Sequence, residues 1–261
     1  MPELPEIEEY RRLAEQALER RITEVLVGDP RFVRGAITPR RLARALRDNA
    51  FSAARRHGKL LVLELAAGPH RLGLRFGMTG RLRVDDEVAA EDLVYASRRQ
   101  LAAWDRFGVR FEDGGSMVVG DPRLLGGVSL DPDESALGPD ALSVTGAELH
   151  AALDGSAVAL KARLMDQSRV AGIGNLIADE VLWRASLSPL RPAGSVVASE
   201  RRRLLHHLRR TLADMLERGG SHTGDLMPQR RPGGSCPRDG TPLRRSVVGG
   251  RTTWWCGRHQ R

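Results

Sequence analysis

The spacing of apolar and polar residues divides the chain into a first part with strand patterns and a second part with helix patterns. In the first 130 residues, short alternating or β-branched runs are separated by Gly, Pro and Asp, which is typical of short strands joined by turns. The predicted strands cover residues 22–27, 51–56, 60–65, 71–76, 81–84, 93–97, 108–111 and 117–119. Short strands at this spacing indicate a β-sandwich or barrel rather than a parallel sheet.

Helix patterns occur before, between and after these strands. Apolar residues recur every three to four positions in residues 7–20, which predicts an amphipathic helix. The pair Thr38-Pro39 is expected to begin a short helix that ends near Arg47. Further helices are predicted over residues 145–153, 160–166, 175–185 and 199–218.

An acidic, Pro-rich stretch without periodicity, residues 131–140, favours a linker between the two parts. We therefore predict an α+β protein built from four segments. They are an N-terminal β-sandwich domain with flanking helices (1–130), a linker (131–145), a helical domain (146–220) and a C-terminal β-hairpin (221–261).

The overall charge indicates a polyanionic partner. The chain has 41 Lys and Arg against 33 Asp and Glu, a net charge of +8 and a pI near 10.7, a balance that favours nucleic acid. No apolar run approaches the ~18–20 residues of a membrane span, and no basic segment followed by a hydrophobic one opens the chain. We expect a cytoplasmic, nucleoid-associated protein without a membrane partner.

The first residues, MPELPE, combine a candidate nucleophile with carboxylates. Removal of Met1, which a small second residue favours, would leave Pro2 as a secondary amine, and a free α-amine titrates near pH ~7.7–8.0. Attack of this amine on an aldehyde-level sugar carbon gives an iminium that labilises the neighbouring C–H bond. Glu3 and Glu6 could protonate the sugar ring oxygen and accept protons. Alternatively, Pro5 and the acidic residues only begin a helix.

Two loops and one turn in the first domain carry further candidate residues. Lys59 lies in the basic turn RRHGK, which could equally be a solvated hairpin. Met78 lies in a Gly-flanked loop, and Arg123 and Leu125 lie in a second loop that begins Asp-Pro. Apolar wedges can fill the gap left in a duplex when a nucleotide is flipped out. A core methionine and an ordinary loop are the alternatives.

In the second domain, two predicted helices are joined by a loop that contains Gly172 and Gly174 and opens the next helix at Asn175. Backbone N–H groups at a helix N-terminus bind anions, so a DNA phosphate is a natural ligand. Lys161, on the preceding helix, could add a second phosphate contact. The alternative is a helical hairpin that needs its glycines only for the turn.

Four potential metal ligands lie in the last 26 residues, where Cys236-x-x-Asp239 and Cys256-x-x-His259 are separated by sixteen residues. This is the spacing of a four-cysteine zinc ribbon. Two thiolates, a carboxylate and an imidazole can form a closed tetrahedral zinc site. A hairpin without zinc and with two thiols, free or joined in a disulfide, is the alternative, although a cytosolic setting disfavours the disulfide.

The same segment predicts a β-hairpin around Gly249-Gly250. Its strands bring the two ligand pairs to one end. Its turn would offer Arg251 to a phosphate or groove with or without metal.

Taken together, these motifs resemble the formamidopyrimidine-DNA glycosylase and endonuclease VIII family of bifunctional base-excision-repair enzymes over essentially the whole chain. The start MPELPE, the Met78 loop, Asp121-Pro122-Arg123, the glycine loop before Asn175 and the C-terminal hairpin follow the family's order and spacing. The resemblance implies a two-lobed protein with a β-sandwich, a helix–two-turn–helix module and a zinc or zinc-less finger. It also implies that damaged double-stranded DNA lies in a basic cleft between the lobes.

The resemblance further implies roles for individual residues. Pro2 would be the nucleophile at the sugar C1′, Glu3 the general acid, Glu6 a supporting carboxylate, and Lys59 a phosphate contact that assists catalysis. Lys161, Asn175 and Arg251 match phosphate-binding positions, and Met78, Arg123 and Leu125 match void-filling positions. The expected reaction releases an oxidised base and cuts the strand by β-elimination followed by δ-elimination. One structural Zn²⁺ and no organic cofactor are expected, and a monomer suffices.

Three departures from the family pattern bear on specificity. Leu125 stands where the purine-directed branch has Phe, the segment 221–235 is short, and Asp239 and His259 replace two cysteines. The MPELPE start favours oxidised purines, with oxidised pyrimidines as the alternative. A non-catalytic damaged-DNA binder of the same fold and a zinc-ribbon nucleic-acid adaptor are the other hypotheses.

Overall fold

The computed structural model describes residues 2–85, 87–90, 93–94, 99 and 101–261. Its contacts divide the chain into two units, Met1–Glu134 and Ser135–Arg261. Within the described residues, no helix combines the length and apolar character that a bilayer crossing requires.

Unit 1 is built mainly from short antiparallel strands. Its helices are α1 (Leu4–Ala14) and α2 (Pro39–Leu46), with 3-10 turns at Glu15–Ala17, Pro30–Phe32 and Ala102–Trp104. Its strands are β1 (Ile22–Val27), β2 (Phe51–His57), β3 (Leu60–Leu65), β4 (Arg71–Arg75), β5 (Arg81–Val84), β6 (Glu87–Val88), β7 (Asp105–Phe111), β8 (Ser116–Gly120) and β9 (Gly127–Leu130).

The strands of unit 1 form two antiparallel sheets, one of five strands in the order β1-β7-β8-β5-β6 and one of four in the order β2-β3-β4-β9. Alternate residues of both sheets point into one hydrophobic cluster, to which Leu63 and Leu74 contribute from the second sheet and Phe107 and Met117 from the first. Two sheets that share one core form a β-sandwich, so the predicted fold class is confirmed.

The first helix differs from its predicted range of 7–20 at both ends. It begins at Leu4 because the Glu6 carboxylate accepts a hydrogen bond from the Glu3 N–H, which satisfies a donor at the helix start. It ends at Ala14 and tightens into the 3-10 turn Glu15–Ala17, which stops because Leu18 is extended, with φ of −71° and ψ of 149°. α1 is fixed to the sandwich by Tyr10, which is fully buried.

Two strands were not predicted, and one predicted strand cannot be assessed in full. β9 begins with a glycine and has only four residues, and it becomes a strand because Gly127–Leu130 pairs with β4. β6 has only two residues. The predicted strand 93–97 lies mostly outside the described residues, and its described members, Leu93 and Val94, are not in a strand.

Unit 2 is helical and ends in a hairpin. Its elements are α3 (Gly146–Leu153), α4 (Leu160–Leu164), α5 (Asn175–Arg184), α6 (Ala198–Glu217), β10 (Arg244–Val248) and β11 (Arg251–Trp255), with 3-10 turns at Ala193–Ser195, Ser221–Thr223 and Met227–Gln229. All ten residues of α5 are buried, so this helix is the centre of the unit. α4 ends two residues earlier than predicted because the Asp166 carboxylate accepts hydrogen bonds from the Ser168 N–H and hydroxyl, which closes a turn.

Candidate active site and metal centre

The start of α1 places two buried carboxylates beside the candidate nucleophile. Pro2 is buried, Glu3 is fully buried and Glu6 is 3 % exposed. The Glu3 N–H donates to Glu6 Oε2 at 2.7 Å, which fixes the Glu6 carboxylate against the backbone that follows Pro2. These residues do begin a helix, as the alternative interpretation expected. The same hydrogen bond holds the two carboxylates where acid–base chemistry at Pro2 would need them.

The turn that carries Lys59 is connected to α1 through an arginine. Gly58, with a φ of 57°, and Lys59 form the two-residue connection between β2 and β3, as in a hairpin turn that needs Gly at its first position. The Arg56 guanidinium donates to Gly58 O at 3.0 Å and to Glu8 Oε2 of α1 at 3.2 Å. The turn is thereby joined to the helix that begins beside Pro2.

The basic turn is not a simple solvated cluster of cations. Arg55 pairs with Glu64 at 2.9 Å and with Glu134 at 2.5 Å. This pairing lowers the pKa of the Glu134 carboxyl below its usual value. Both arginines of the turn, Arg55 and Arg56, are therefore neutralised within unit 1.

The two candidate void-filling loops contact each other. Tyr10 of α1 anchors the first loop, because its hydroxyl donates to Gly80 O at 3.0 Å. The Arg123 guanidinium approaches Met78 Sδ at 3.9 Å, and Leu125 is 46 % exposed. Gly77 lies so close to the backbone of Leu125 that a Cβ there would be 2.6 Å from it. Met78 is partly exposed rather than part of the core.

In unit 2, Asn175 is the first residue of α5 and is 6 % exposed. The loop before it is shaped by Gln167, whose amide donates to Met165 O and Ile173 O at 2.6 and 3.0 Å and accepts from the Gly172 N–H at 3.0 Å. Gly172 has a φ of 112°, which favours glycine. The glycine loop is therefore a fixed turn that leads directly into the helix.

Lys161, for which the sequence predicts a phosphate contact, is buried. Its side chain is fully buried, and its ammonium lies 2.7 Å from Asp179 Oδ1. It also donates to Asn175 Oδ1 at 2.7 Å and to Thr253 Oγ1 at 2.7 Å. An ammonium has three donors, and here they face protein oxygens. The Lys161 ammonium is therefore held within the protein beside Asn175.

The predicted C-terminal hairpin is confirmed, with Gly249 and Gly250 at φ of 56° and 71° joining β10 to β11. Two positive φ angles define the type of two-residue turn that matches strand twist. A Cβ on Gly249 would be 3.1 Å from Ala162 Cβ, so the turn packs on α4. Arg251 follows the turn and is exposed, and its side chain has no hydrogen bond or ion pair among the described residues.

The four predicted metal ligands converge. The ligand atoms of Cys236, Asp239, Cys256 and His259 all lie within 4.8 Å of one another. Cys236 Sγ to His259 Nδ1 is 3.6 Å, Cys256 Sγ to Asp239 Oδ2 is 3.5 Å, and His259 Nδ1 to Asp239 Oδ2 is 3.3 Å. Zinc bond lengths of ~2.3 Å to sulfur and ~2.1 Å to nitrogen or oxygen give tetrahedral edges of about 3.6 and 3.4 Å. The four residues therefore fit a small tetrahedral metal ion.

The surroundings of this group also orient two of the ligands. The Trp183 indole N–H donates to Cys236 Sγ at 3.3 Å, and His259 Nε2 lies 3.4 Å from Trp183 O. A histidine that donates one ring N–H to a carbonyl presents its other nitrogen as a ligand. Burial raises the pKa of the Cys256 thiol, and the hydrogen bond from the Thr241 N–H lowers the pKa of the Asp239 carboxyl.

Comparison with known proteins gives consistent matches over both units. Residues 1–128 match the model of the formamidopyrimidine-DNA glycosylase N-terminal domain, and residues 137–226 match the model of its H2TH domain. The curated formamidopyrimidine-DNA glycosylase of Burkholderia cenocepacia is 36 % identical over 281 aligned positions that cover all of both chains. The chain belongs to the formamidopyrimidine-DNA glycosylase family.

Solved structures of this family share the fold. A complex of Lactococcus lactis Fpg with DNA containing an abasic site matches with a TM-score of 0.83 and 25 % identity over 99 % of each chain. A complex of the same protein with DNA containing an oxidised pyrimidine matches with a TM-score of 0.83 and 25 % identity over all of both chains. As a member of this family, the chain is a DNA-repair glycosylase with AP lyase activity.

The structure also identifies a residue of the glycosylase fold that the sequence argument left without a role. Asp121 is fully buried and accepts hydrogen bonds from the Thr79 hydroxyl at 2.6 Å, the Arg123 N–H at 3.1 Å and the Gly126 N–H at 2.8 Å. It joins the Met78 loop to the Arg123 loop. An Asp directly before Pro at the start of a loop is a turn signal that could have indicated such a role.

Proposed function

We propose that the chain removes oxidised bases, first of all purines such as 8-oxoguanine and formamidopyrimidines, through a Schiff base between Pro2 and the sugar C1′. The observation that carries this proposal is the pair of buried carboxylates, Glu3 and Glu6, on the first turn after Pro2. The position of a carboxyl beside an α-amine matches a general acid paired with a nucleophile.

The small number of amines in the chain supports Pro2 as the nucleophile. Only two of the 41 Lys and Arg residues are lysines, Lys59 and Lys161. The Lys161 ammonium is fully buried in an ion pair with Asp179. Once Met1 has been removed, the accessible amines that could form a Schiff base are therefore Pro2 and Lys59. Of these, the Pro2 amine has the lower intrinsic pKa, about 8 against about 10.4 for lysine, so a larger fraction is unprotonated at neutral pH.

The proposed reaction proceeds in three steps. The Pro2 nitrogen attacks C1′ and loses its proton, and the damaged base leaves with its bonding electron pair and takes up a proton. A carboxyl, assigned to Glu3, then protonates the ring oxygen as the C1′–O4′ bond breaks, which gives the iminium. Loss of a C2′ proton from the resulting iminium then expels the 3′ phosphate, and loss of a C4′ proton expels the 5′ phosphate. Glu6 supports the Glu3 backbone during these steps, as its 2.7 Å hydrogen bond from Glu3 N indicates.

We assign DNA contacts to residues of both units. Met78, Arg123 and Leu125 would fill the space of the flipped nucleotide, which is consistent with their contact and partial exposure. Lys59, Asn175 and Arg251 would contact phosphates, since a cation or an amide at these turns and at the α5 N-terminus can donate to an anion. Damaged double-stranded DNA is the proposed partner.

Zinc is the proposed metal of the C-terminal group, held by Cys236, Asp239, Cys256 and His259. When bound, it supplies no reaction chemistry but links the ends of the hairpin segment. The tetrahedral edges of about 3.4–3.6 Å expected for zinc support this choice. Purification of the protein in zinc-containing medium should give one equivalent by elemental analysis, and conversion of Cys256 to Ala should abolish it.

Leu125 is the reason for considering an oxidised pyrimidine as the alternative substrate. It is 46 % exposed on a loop without an aromatic side chain, so stacking against the base opposite the lesion would be weak. Parallel excision assays on duplexes with 8-oxoguanine, a formamidopyrimidine and an oxidised pyrimidine distinguish the two substrate classes. Faster release of the pyrimidine would reverse the proposed order.

Borohydride trapping on a duplex with one abasic site tests the Schiff base. We expect a covalent adduct on the peptide that begins at Pro2, a strong loss of trapping in Pro2→Gly, and slower base release in Glu3→Gln. Lys59→Arg is the matched control, because it removes the only other accessible amine and should still trap at Pro2. An adduct on the Lys59 peptide, or none on protein with a verified free Pro2, would overturn the mechanism.

A further inference from the structure

Lys161 is at the centre of a buried polar network in unit 2. Its ammonium is within 2.7 Å of an oxygen of Asp179 and of Thr253, and it also donates to Thr252 O at 3.3 Å. A buried ammonium is stable only when it is paired and hydrogen-bonded, and here both conditions hold. If this position served only to fill the core, an apolar side chain of similar volume would be at least as stable as a buried ion pair. The ion pair therefore indicates a further role for Lys161.

One consequence concerns the orientation of the Asn175 side chain. The Lys161 ammonium can only donate, and it lies 2.7 Å from the terminal amide of Asn175. The amide must therefore turn its oxygen toward Lys161. Its NH2 group then faces away from the lysine as a pair of donors, which is the polarity that a phosphate requires.

A second consequence concerns the hairpin. Thr253 Oγ1 accepts from Lys161 and donates to Arg251 O at 3.1 Å. The network thus reaches the residue that follows the hairpin turn, in addition to the start of α5.

Asp179 holds this network from the other side. Its Oδ2 accepts from Arg230 Nη2 at 2.8 Å and from the Trp254 N–H at 3.3 Å, while Oδ1 pairs with Lys161. Asp179 is 2 % exposed and lies one turn after Asn175 on α5. One carboxylate therefore joins α5, α4, the segment around Arg230 and β11.

We propose that Lys161 and Asp179 are positioning residues, which fix the Asn175 amide and the Arg251 strand as phosphate donors without touching DNA themselves. This inference rests on the proposed phosphate contacts of Asn175 and Arg251. It replaces the direct phosphate contact expected for Lys161 with an indirect one, and the two roles differ in a measurable way.

The test is a double-mutant cycle in DNA binding. Wild type, Lys161→Met, Asn175→Ala and the double variant are titrated with a duplex that carries an uncleavable abasic-site analogue, at several salt concentrations. In the protein that keeps Asn175, we expect Lys161→Met to weaken binding about tenfold, the size of one lost charge-assisted hydrogen bond. In the Asn175→Ala background, the same substitution should weaken binding less than about threefold. The slope of log Kd against log salt should change by well under about 0.9, because Lys161 itself neutralises no phosphate and Arg251 keeps its charge.

Arg251→Met is the matched control for a true phosphate contact. Its salt slope should fall by about 0.9, the value for one released counterion. Additive losses for Lys161 and Asn175, or a slope change of about 0.9 in Lys161→Met, would overturn the proposal. Absence of binding by the wild type would instead overturn the proposed function, so the two failures are distinct.

Two measurements keep the proposal testable if Lys161→Met does not fold. Asp179→Asn retains an acceptor for Arg230 and Trp254, and it should show the same non-additivity with Asn175→Ala. In the native wild type, an amine-reactive reagent should label Lys59 and leave Lys161 unmodified, as full burial requires. Labelling of Lys161 at the rate of Lys59, or additivity for Asp179→Asn, would contradict the proposal.

Discussion

Replacement of Asp121 by Ala should loosen both candidate void-filling loops at once. The carboxylate accepts hydrogen bonds from Thr79, Arg123 and Gly126 at 2.6, 3.1 and 2.8 Å, and it is fully buried. Each buried donor that loses its partner costs about 1–3 kcal/mol. The buried Gly126 N–H and Thr79 hydroxyl, with a smaller contribution from the part-buried Arg123 N–H, give about 3 kcal/mol.

This loss should be visible in three measurements on Asp121→Ala. Urea unfolding followed by circular dichroism should show the free-energy decrease, and the melting temperature should fall by about 10 °C, at roughly 3 °C per kcal/mol for a unit of this size. Hydrogen exchange should speed up at the Arg123 and Gly126 amides. Binding to duplex with an abasic-site analogue should weaken because Met78 and Arg123 lose their fixed positions.

Asp29→Ala is a matched control, because Asp29 also precedes a proline. Its carboxylate accepts a hydrogen bond from the N–H of Arg31, two residues later, at 2.9 Å. The Arg31 side chain, which also pairs with Asp29, is 76 % exposed, so water can replace the hydrogen bonds that the substitution removes. We expect a much smaller effect on stability and none on DNA binding. A loss below about 1 kcal/mol in Asp121→Ala, with wild-type exchange rates at the two amides, would refute the argument.

Three further predictions address the metal, the pH dependence and specificity. A strong chelator should release one metal ion and lower the melting temperature of unit 2, and the effect should be absent in Cys256→Ala, as differential scanning calorimetry with metal analysis would show. The Arg55 guanidinium lowers the pKa of the Glu134 carboxyl in the folded protein. The ion pair therefore stabilises the fold fully above the unfolded-state pKa of about 4.3, and this stabilisation is lost as the pH falls through the lower folded-state pKa. Glu134→Gln should therefore unfold with a flatter pH dependence below pH ~4.3, and an unchanged profile would exclude the pair as a contributor. Leu125→Phe adds a stacking surface and should therefore increase discrimination between the bases opposite the lesion in excision assays. If the wild type and the variant show the same ratio of excision rates for different opposite bases, residue 125 does not contact the opposite base.

Features that depend on local backbone preference were determined by the sequence. Thr145 begins α3 because its hydroxyl accepts from the Glu148 N–H, an N-cap with Glu at the third position that is legible in four residues. The strand 60–65 and the Gly249-Gly250 hairpin follow from apolar pattern and from the φ angles that only glycine adopts freely. The four metal ligands were predicted from spacing alone, because the hairpin between them is local.

Tertiary structure decided the partners of the charged residues. Arg55 meets Glu134, 79 positions away, Thr79 meets Asp121 at 42 positions, and Lys161 meets Thr253 at 92. No periodicity relates such residues, since their contact depends on how strands and helices pack rather than on local φ and ψ. For the same reason the sequence indicated a phosphate contact for Lys161 but gave no sign of its burial by the packing of α4, α5 and β11.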